Sequence, residues 1–293
     1  MPKIFIDANI YLDFYNNNSV KAMLSPLEEI AEHIISTEQV VNEVLRNRVK
    51  TAKKLLKEDY QKWALVKPSI PDFLTKEAVA EIFPTISNEL NDCEMQFNKL
   101  KKLSQEIYSK ALEHVALGDD EISKRLKAIF KAPLTPSAEE LTKARHRKEL
   151  GNPPGKHNDP IGDEITWEQL LCYRRENNSE LWIVSKDEDF FLDNISGNNL
   201  PNSYLLNEVN DEGPTVKFFR NIPAALKEFK ASVSPGLALP SEEEMEKAAL
   251  AQTARDEVKC SHTPVLIQNG RFDMFVCTKC NKTLGAYLAD DID

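Results

Sequence analysis

The feature that most constrains this chain is its opening stretch, KIFIDANIYLDF, in which a short apolar run ends directly at an acidic residue. Lys3 to Ile6 predicts a buried strand, and Asp7 follows it without a break. Because the carboxyl ends of parallel strands border the ligand crevice of open α/β sheets, Asp7 lies where site chemistry is common. Asn9 adds an amide that can orient water or a neighbouring carboxylate. The alternative is that Asp7 and Asn9 only cap the following helix, since both residue types are favoured there.

The arrangement of strand and acid returns late in the chain. Leu181 to Val184 predicts a second short buried strand, and SKDEDFF follows it with Asp187. Two further acids, Glu43 and Asp163, lie in the first turns of predicted helices. Carboxylates are ligands that Mg²⁺ and Mn²⁺ prefer, and four that converge would repel one another without a cation. A divalent-metal site is therefore one interpretation, and the other is that these acids complement helix dipoles and begin turns.

Helical periodicity dominates the sequence between these motifs. The helix that carries Glu43 continues into a basic stripe from Arg46 to Lys57, which follows a phosphate backbone in one interpretation and is a solvated helix face in the other. Residues 75–131 predict two or three further helices. Lys99 to Leu150 holds twelve basic against eight acidic residues, so this segment is locally positive. We expect an α-helical insertion over about residues 75–150, either as a substrate-holding arm or as an ordinary helical pair.

The composition excludes some classes of protein. The chain has 293 residues, 41 % of them apolar, which is enough for one domain of about 200 residues or more and a small second one. A net charge of −10 argues against a surface coated uniformly with phosphate-binding cations, although a local basic face can coexist with an acidic site. No apolar run approaches the roughly 20 residues of a membrane span, and the strand near Met1 leaves no room for a targeting segment. We therefore expect a cytoplasmic protein with reduced thiols.

The hydrophobic periodicity of the sequence is weaker after the SKDEDFF motif. Tyr204 to Leu206 predicts a weak strand, and Ile222 to Phe229 predicts a short helix that closes the main domain. Ser232 to Pro240 is typical of a linker, and Ser241 with Glu244 forms a capping-box pattern that opens an acidic helix. The expected boundaries are 1–230 for the main domain, 231–258 for the linker and acidic helix, and 259–293 for a separate module.

The last module carries a candidate zinc site. Its candidate ligands are Cys260, His262, Cys277 and Cys280. Asn269-Gly270 between apolar runs predicts a hairpin that brings the two ligand pairs together. Three thiolates and one imidazole form a closed tetrahedral set, which suits structural Zn²⁺ rather than catalysis. The module resembles a zinc ribbon, with C-x-H in place of a first C-x-x-C, and free cysteines with a surface histidine are the alternative.

Four motifs, taken in order, resemble one known family. They are IFIDANIYL, TEQVVNEVLRNR, PPGKHNDPIGDEITWEQLL and LWIVSKDEDFF. Together they resemble the PIN-domain nucleases, specifically the larger PIN-like proteins with a long helical insertion. The most distinctive parts are Gly162 before the third acid, Trp167 four residues after that acid, and the Ser-x-Asp-x-Asp-Phe run after the second strand. The resemblance covers residues 1–230, with the middle third unmatched.

The resemblance implies an α/β fold in which a parallel sheet is flanked by helices and the acids gather at the strand ends. Its residue-by-residue implications are that Asp7, Glu43, Asp163 and Asp187 bind Mg²⁺ or Mn²⁺, that Asp189 is an additional acid, and that Asn9 and Ser185 form hydrogen bonds within the site. Family members usually cleave RNA by metal-activated water. A divalent-metal-dependent endoribonuclease is therefore implied, and RNA is favoured over DNA only by the resemblance.

Candidate substrate contacts surround these acids. Lys156 and His157 lie in the loop before the third acid, and Arg46 begins the basic stripe; each contacts a phosphate in one interpretation and is an ordinary surface residue in the other. Trp167 is predicted to pack in the core rather than to stack on a base. The competing functions are a structure-selective DNA nuclease and a non-catalytic regulator that binds RNA or a protein partner. A haloacid-dehalogenase-type phosphatase would need a second acid at position 9, where this chain has Asn9.

Overall fold

A computed structural model describes residues 1–63, 83–155, 160–192, 200–210 and 213–253, together with three strands within residues 264–288. The chain divides into two compact units, Met1–Thr253 and Ala254–Asp293, and each is described by itself. The strands are β1 (Lys3–Ile6), β2 (Ile34–Ile35), β3 (Leu181–Val184), β4 (Phe191–Leu192), β5 (Leu200–Pro201), β6 (Val216–Phe219), β7 (Pro264–Asn269), β8 (Phe272–Cys277) and β9 (Thr283–Leu288). The helices are α1 (Ala8–Leu12), α2 (Leu24–Glu29), α3 (Glu38–Gln61), α4 (Phe83–Leu117), α5 (Glu121–Ile129), α6 (Ala138–Leu150), α7 (Gly162–Asn177), α8 (Ser203–Asn210), α9 (Ile222–Ser232) and α10 (Glu242–Thr253).

The first unit is built on a four-stranded parallel sheet in the order β2-β1-β3-β6. In β1 and β3 the strands KIFI and LWIV are almost wholly buried, as expected for central strands that are covered on both faces. The register pairs Ile6 with Val184, so both strands end at the same edge of the sheet. The α/β fold with a parallel sheet flanked by helices is thereby confirmed.

Two details of the sequence interpretation are corrected. Tyr204 to Leu206, expected as a weak strand, lies within α8, where Leu205 and Val209 face the core at helical spacing. The fourth strand of the sheet is β6, whose run Val216 to Phe219 was not predicted as a strand. All four of its residues are only half-buried, so it lacks the strong apolar signal of the central strands.

The expected helical insertion is present in the described residues. Thr37 caps α3 through a hydrogen bond from the Val40 N–H to its hydroxyl. Helix α4 packs along α3, and the side chains of Tyr108 and Asp59 join the two helices by a hydrogen bond of 2.5 Å. Arg48 of the predicted basic stripe donates to the Ala116 carbonyl oxygen at the end of α4, so this cation holds the insertion in place rather than facing solvent freely.

Helix α6 is joined to helices α7 and α8 by one buried arginine. Arg147, 6 % exposed, donates to Glu168 on α7 and to Glu208 on α8, at distances of 2.6 to 3.0 Å. The indole N–H of Trp167 also donates to Glu208. Trp167 itself is 1 % exposed, which confirms that it packs in the core.

The first unit includes the acidic helix α10. The predicted capping box is present, because the side chains of Ser241 and Glu244 each bond the other residue's backbone N–H. Met245 and Ala248 are buried, and the carboxamide oxygen of Gln252 accepts a hydrogen bond from the N–H of Ile222 at the start of α9. The compact unit therefore extends through Thr253, beyond the boundary at residue 230 that the linker composition suggests.

The second unit is described as a three-stranded antiparallel sheet in the order β7-β8-β9. The pairing of Asn269 with Phe272 confirms the predicted hairpin, and β9 is an additional strand. Cys277 ends β8 and is described in its backbone alone. Cys260, His262 and Cys280 lie outside the described residues, so the zinc site stays a prediction. Among the helices that the structure describes, none is long and apolar enough to cross a membrane.

Candidate active site

Four segments bring acidic residues to one edge of the sheet. Asp7 follows β1, and its N–H donates to the carbonyl oxygen of Val184 at the end of β3 (2.9 Å). Asp187 comes three residues after β3, Asp163 is the second residue of α7, and Glu43 lies in the second turn of α3. Because β1 and β3 run parallel, their carboxyl ends coincide, and acids from distant parts of the sequence meet there.

Three of these acids, Asp7, Glu43 and Asp163, line a small pocket. Its walls are formed by Phe5, Asp7, Gln39, Val40, Glu43, Asp163, Thr166 and Phe190. Phe5 and Phe190 are 1 % and 5 % exposed, so part of the pocket lining is apolar and lies beside the carboxylates. An apolar lining that excludes water strengthens the electrostatic interactions of these acids.

Ser185 links two of the acids. It is fully buried, and its hydroxyl donates to Asp7 Oδ2 at 2.8 Å. The same hydroxyl oxygen accepts from the backbone N–H of Asp187 at 3.0 Å. One serine thus fixes the carboxylate after β1 against the chain that leaves β3, which agrees with the hydrogen-bonding role that the family resemblance implied.

Asp189 lies beside these residues. Its backbone N–H approaches Asp187 Oδ1 at 3.4 Å, and its own Oδ2 accepts from the backbone N–H of Gly155 at 3.1 Å. Carboxylate oxygens of Asp163, Asp187 and Asp189 all lie within 4.8 Å of one another. Three half-buried carboxylates at this spacing form a donor set suited to a divalent cation.

Burial and the charges of neighbouring acids raise the pKa values of Asp7 and Asp163. Burial raises the pKa of Asp7 from 3.8 to about 6; the bond from Ser185 opposes this rise, and the charges of Asp187 and Glu43 add to it. Burial likewise raises the pKa of Asp163 to about 7, with further increases from Asp7, Asp187 and Glu43. In the part of the chain described, neither Asp7 nor Asp163 forms an ion pair. A bound cation would relieve this repulsion.

Glu43 and Arg46 lie one turn apart on α3. The pKa of the Glu43 carboxyl is raised by burial, opposed by the positive charge of Arg46 and reinforced by Asp187. Arg46 is exposed, so its guanidinium is available to solvent at the rim of the acidic pocket. The positive charge of Arg46 thus acts on Glu43, and a contact of Arg46 with phosphate stays a prediction.

Two glycines leave space for polar side chains at the site. A Cβ atom at Gly162 would overlap the Gln39 carboxamide nitrogen and lie 2.8 Å from its carbonyl carbon. Gly155 has a φ of +111°, and a Cβ there would lie 2.9 Å from Glu164 Oε2. Glu164 is 1 % exposed and is paired with Lys148 Nζ at 3.0 Å. Gly155 and Gly162 therefore lie in close contact with the side chains of Glu164 and Gln39, respectively.

Some site residues were not predicted, and others are not brought to the acids. Gln39 and Thr166 line the pocket, and their spacing from Glu43 (i−4) and from Asp163 (i+3) is the signal that places them on the same helix faces. Asn9 lies in the first turn of α1, and its side chain forms no hydrogen bond with another described residue. Lys156 and His157 lie outside the described residues.

The chemistry of the donor set fits Mg²⁺ or Mn²⁺. Both ions favour carboxylate oxygens, and their charge would lower the raised pKa values of the acids. No match was found among curated proteins or among solved structures. A family model described as a PIN like domain matches residues 3–205, well over half of the 293-residue chain. The chain that carries this acidic pocket therefore belongs to the PIN-like domain family.

Proposed function

We propose that this protein is a divalent-metal-dependent endoribonuclease. PIN-like domains are typically metal-dependent nucleases. The observation that carries the proposal is that Asp7, Glu43 and Asp163 line one pocket, while oxygens of Asp187 and Asp189 lie within 4.8 Å of one from Asp163. The pKa values of Asp7 and Asp163 are raised there.

The acids divide into two groups by position. Asp163, Asp187 and Asp189 offer oxygens close enough to share one cation, and Asp7 and Glu43 lie on the pocket wall beside them. We assign metal binding to Asp7, Glu43, Asp163 and Asp187, with Asp189 as a supporting acid. A divalent cation held by these residues would supply Lewis-acid chemistry, by polarising a phosphate and lowering the pKa of a water molecule. Ser185 holds the Asp7 carboxylate in one orientation, so Asp7 serves as a ligand, and another acid accepts the proton of the attacking water.

Substrate binding is proposed on the side of α3 and of the loop before α7. Arg46 is exposed one turn from Glu43, where its charge suits a phosphate of the bound strand. Lys156 and His157 are proposed as phosphate contacts from their position in sequence, and Asn9 as a polar residue that orients water. The choice of RNA over DNA follows from the family resemblance.

The decisive experiment incubates the pure protein and Mn²⁺ with labelled RNA, single-stranded DNA, nicked DNA and flap DNA. We expect cleavage of RNA, abolished in an Asp7→Asn, Asp187→Asn double variant. A matched control, Asp92→Asn with Asp119→Asn, makes the same chemical change at two exposed positions and should cleave normally. Equal cleavage by the double variant and the control would exclude the acidic pocket as the active site. Preference for flap or nicked DNA would identify a DNA nuclease instead.

Calorimetry separates an enzyme from a regulator. A nuclease of this kind binds Mn²⁺ or Mg²⁺ at the acidic pocket, and the Asp7→Asn, Asp187→Asn variant binds it more weakly. An absence of metal binding by the unaltered protein would favour a non-catalytic regulator that binds RNA or a protein.

The second unit is proposed to bind structural Zn²⁺ through Cys260, His262, Cys277 and Cys280. The antiparallel pairing of β7 with β8 supports the hairpin that such a site requires. Metal analysis of the purified chain should find zinc that a Cys277→Ser variant lacks. We assign the unit to docking of a nucleic acid or a protein partner, and the protein to the cytoplasm, where the free thiols of Cys93 and Cys172 would persist.

A further inference from the structure

The pocket contains one neutral amide among its carboxylates. Gln39 lies on α3 one helical turn before Glu43, so the two side chains share a face of the helix. It lines the pocket together with Asp7, Glu43 and Asp163. The Gln39 side chain is half-buried, and within the described residues its carboxamide forms no hydrogen bond. Both hydrogen atoms of the amide are therefore available to a ligand in the pocket.

Gly162 makes room for this amide. The three atoms nearest to a Cβ built at Gly162 all belong to Gln39: the carboxamide nitrogen, Cδ at 2.8 Å and Cγ at 3.2 Å. Gly162 begins helix α7, where its helical backbone conformation is open to residues with side chains, so backbone freedom does not explain the glycine. Its lack of a side chain leaves room for the Gln39 carboxamide against the first turn of α7, which carries Asp163.

We propose that the Gln39 carboxamide donates a hydrogen bond to a non-bridging oxygen of the phosphodiester held in this pocket. The inference rests on the proposed nuclease function. Ionised carboxylates and phosphate oxygens both accept hydrogen bonds and donate none. A phosphate among these acids therefore needs a cation and a neutral hydrogen-bond donor. An amide supplies that donor at every pH and adds no charge that would compete with a metal ion.

The pocket wall also carries the hydroxyl of Thr166, which is less suited to this role. Thr166 is 6 % exposed, and its hydroxyl faces the Thr37 hydroxyl at 3.5 Å on the side of the α3 N-terminus. Because the contact is made to a phosphate, it should act equally on RNA and on DNA.

The first test measures equilibrium binding in Ca²⁺, which is chosen to retain the complex without cleavage. The probes are a fluorescein-labelled oligouridylate and an oligothymidylate of the same length, followed by fluorescence anisotropy. Gln39→Ala should weaken the binding of both probes by the same factor, about tenfold for one hydrogen bond to a charged group. Gln96→Ala, an exposed glutamine on α4, is the matched control and should bind as the unaltered protein does. Unchanged binding by Gln39→Ala, or a loss confined to one probe, would overturn the inference.

Calorimetric titration with Mn²⁺ separates a phosphate contact from an effect on the metal. Gln39→Ala should bind Mn²⁺ as tightly as the unaltered protein, because the carboxylates are retained. A parallel loss of Mn²⁺ affinity would show that the amide acts through the ion, and the phosphate assignment would then be wrong.

A double-mutant cycle tests the geometry. Gly162→Ala should displace the Gln39 carboxamide and weaken probe binding about as much as Gln39→Ala does. In the Gln39→Ala background the same alanine meets none of those three atoms, so it should cause no further loss. Additive losses in the cycle would overturn the proposed pairing of these two residues.

The outcomes also separate the two proposals. If the unaltered protein binds neither probe and cleaves no RNA or DNA, the nuclease function fails and the phosphate contact fails with it. If the unaltered protein binds and cleaves while Gln39→Ala does so equally well, the nuclease function stands and only the role of Gln39 is excluded.

Discussion

The first unit contains two groups of buried or half-buried acids, and their surroundings differ. Glu168 and Glu208 both accept hydrogen bonds from Arg147, whose guanidinium lies between them. Asp7 and Asp163 also lie close to other acids, yet in the described part of the chain neither has a basic partner within ion-pair distance, and the pKa of each is raised. The two carboxylates of the first group share one guanidinium, whereas Asp7 and Asp163 have no basic partner among the described residues.

The difference indicates what each group does. A buried acid that is matched to a guanidinium fixes helices in place, and here it joins α6, α7 and α8. Asp7 and Asp163, which have no basic partner among the described residues, raise the free energy of the folded protein when they are ionised, and a bound cation would lower it. The acids that are paired with Arg147 are structural, and the acids without a basic partner among the described residues are suited to a metal.

The largest expected effect on stability comes from removing the guanidinium of the first group. Arg147→Ala should lower the free energy of unfolding by about 3 to 5 kcal/mol, because Glu168 would stay buried without its partner. Urea denaturation measures this, with the exposed Arg145→Ala on the same helix as the control, expected to change stability by less than about 0.5 kcal/mol. An Arg147→Met, Glu168→Leu double variant should recover much of the loss. Equal stability of Arg147→Ala and Arg145→Ala would show that the arginine network contributes little.

The next effect comes from supplying the missing charge in the second group. Mn²⁺ at about a hundred times its dissociation constant should stabilise the protein by about 2.7 kcal/mol. Thermal unfolding followed with and without a chelator measures the shift. Asp163→Asn should abolish most of it, since this residue belongs to the close set of three carboxylates. A shift that survives in Asp163→Asn would place the stabilising ion elsewhere.

The pH dependence of the metal-free protein should reflect the same imbalance. Asp7 and Asp163 have folded-state pKa values near 6 and 7, above the unfolded value of 3.8, so the folded state binds more protons between about pH 4 and pH 7. Their contribution to stability is therefore lost as pH rises through this range. An Asp7→Asn, Asp163→Asn variant should match the metal-free parent at pH 4 and exceed it at pH 8 by about 2 to 6 °C in melting temperature. A constant difference at both pH values would contradict the raised pKa values.

The smallest effect concerns the hydrogen bond that orients Asp7. Ser185→Ala removes the donor to Asp7 Oδ2 and the acceptor of the Asp187 N–H, which should cost about 1 kcal/mol of stability. It should also raise the pKa of Asp7 further, because the serine bond favours the ionised form. Ser109→Ala on the exposed face of α4 is the control. An Asp7 carboxyl signal that titrates unchanged in Ser185→Ala, followed by NMR, would show that Ser185 does not set its pKa.

Much of this arrangement could be predicted from local sequence. The runs before Asp7 and Asp187 are apolar without interruption, which is typical of central parallel strands, and strand ends place the following acids at one edge. Thr37 before α3 and Gly118 after α4 also lie where ordinary helix-end preferences favour Thr and Gly.

The remainder depends on contacts between distant residues. Strand β6 is half-buried, so its sequence has no strong period, and it is defined by pairing with β3. Gln39 is an unremarkable helix residue in sequence, and only the approach of Gly162 on another helix reveals its position. The match of Arg147 with Glu168 and Glu208 joins three helices, which no local pattern specifies.

Helix α10 also affects how the first unit can be synthesised and produced. It packs against the 3₁₀ segment Asn18–Met23, so residues made early on the ribosome contact the last helix of the unit. A nascent chain that has not yet emerged through Thr253 cannot form this contact, and a recombinant fragment that stops at residue 230 would never form it. Such a fragment would display the surface that Met245 and Ala248 cover in the folded unit, and aggregation is its expected fate.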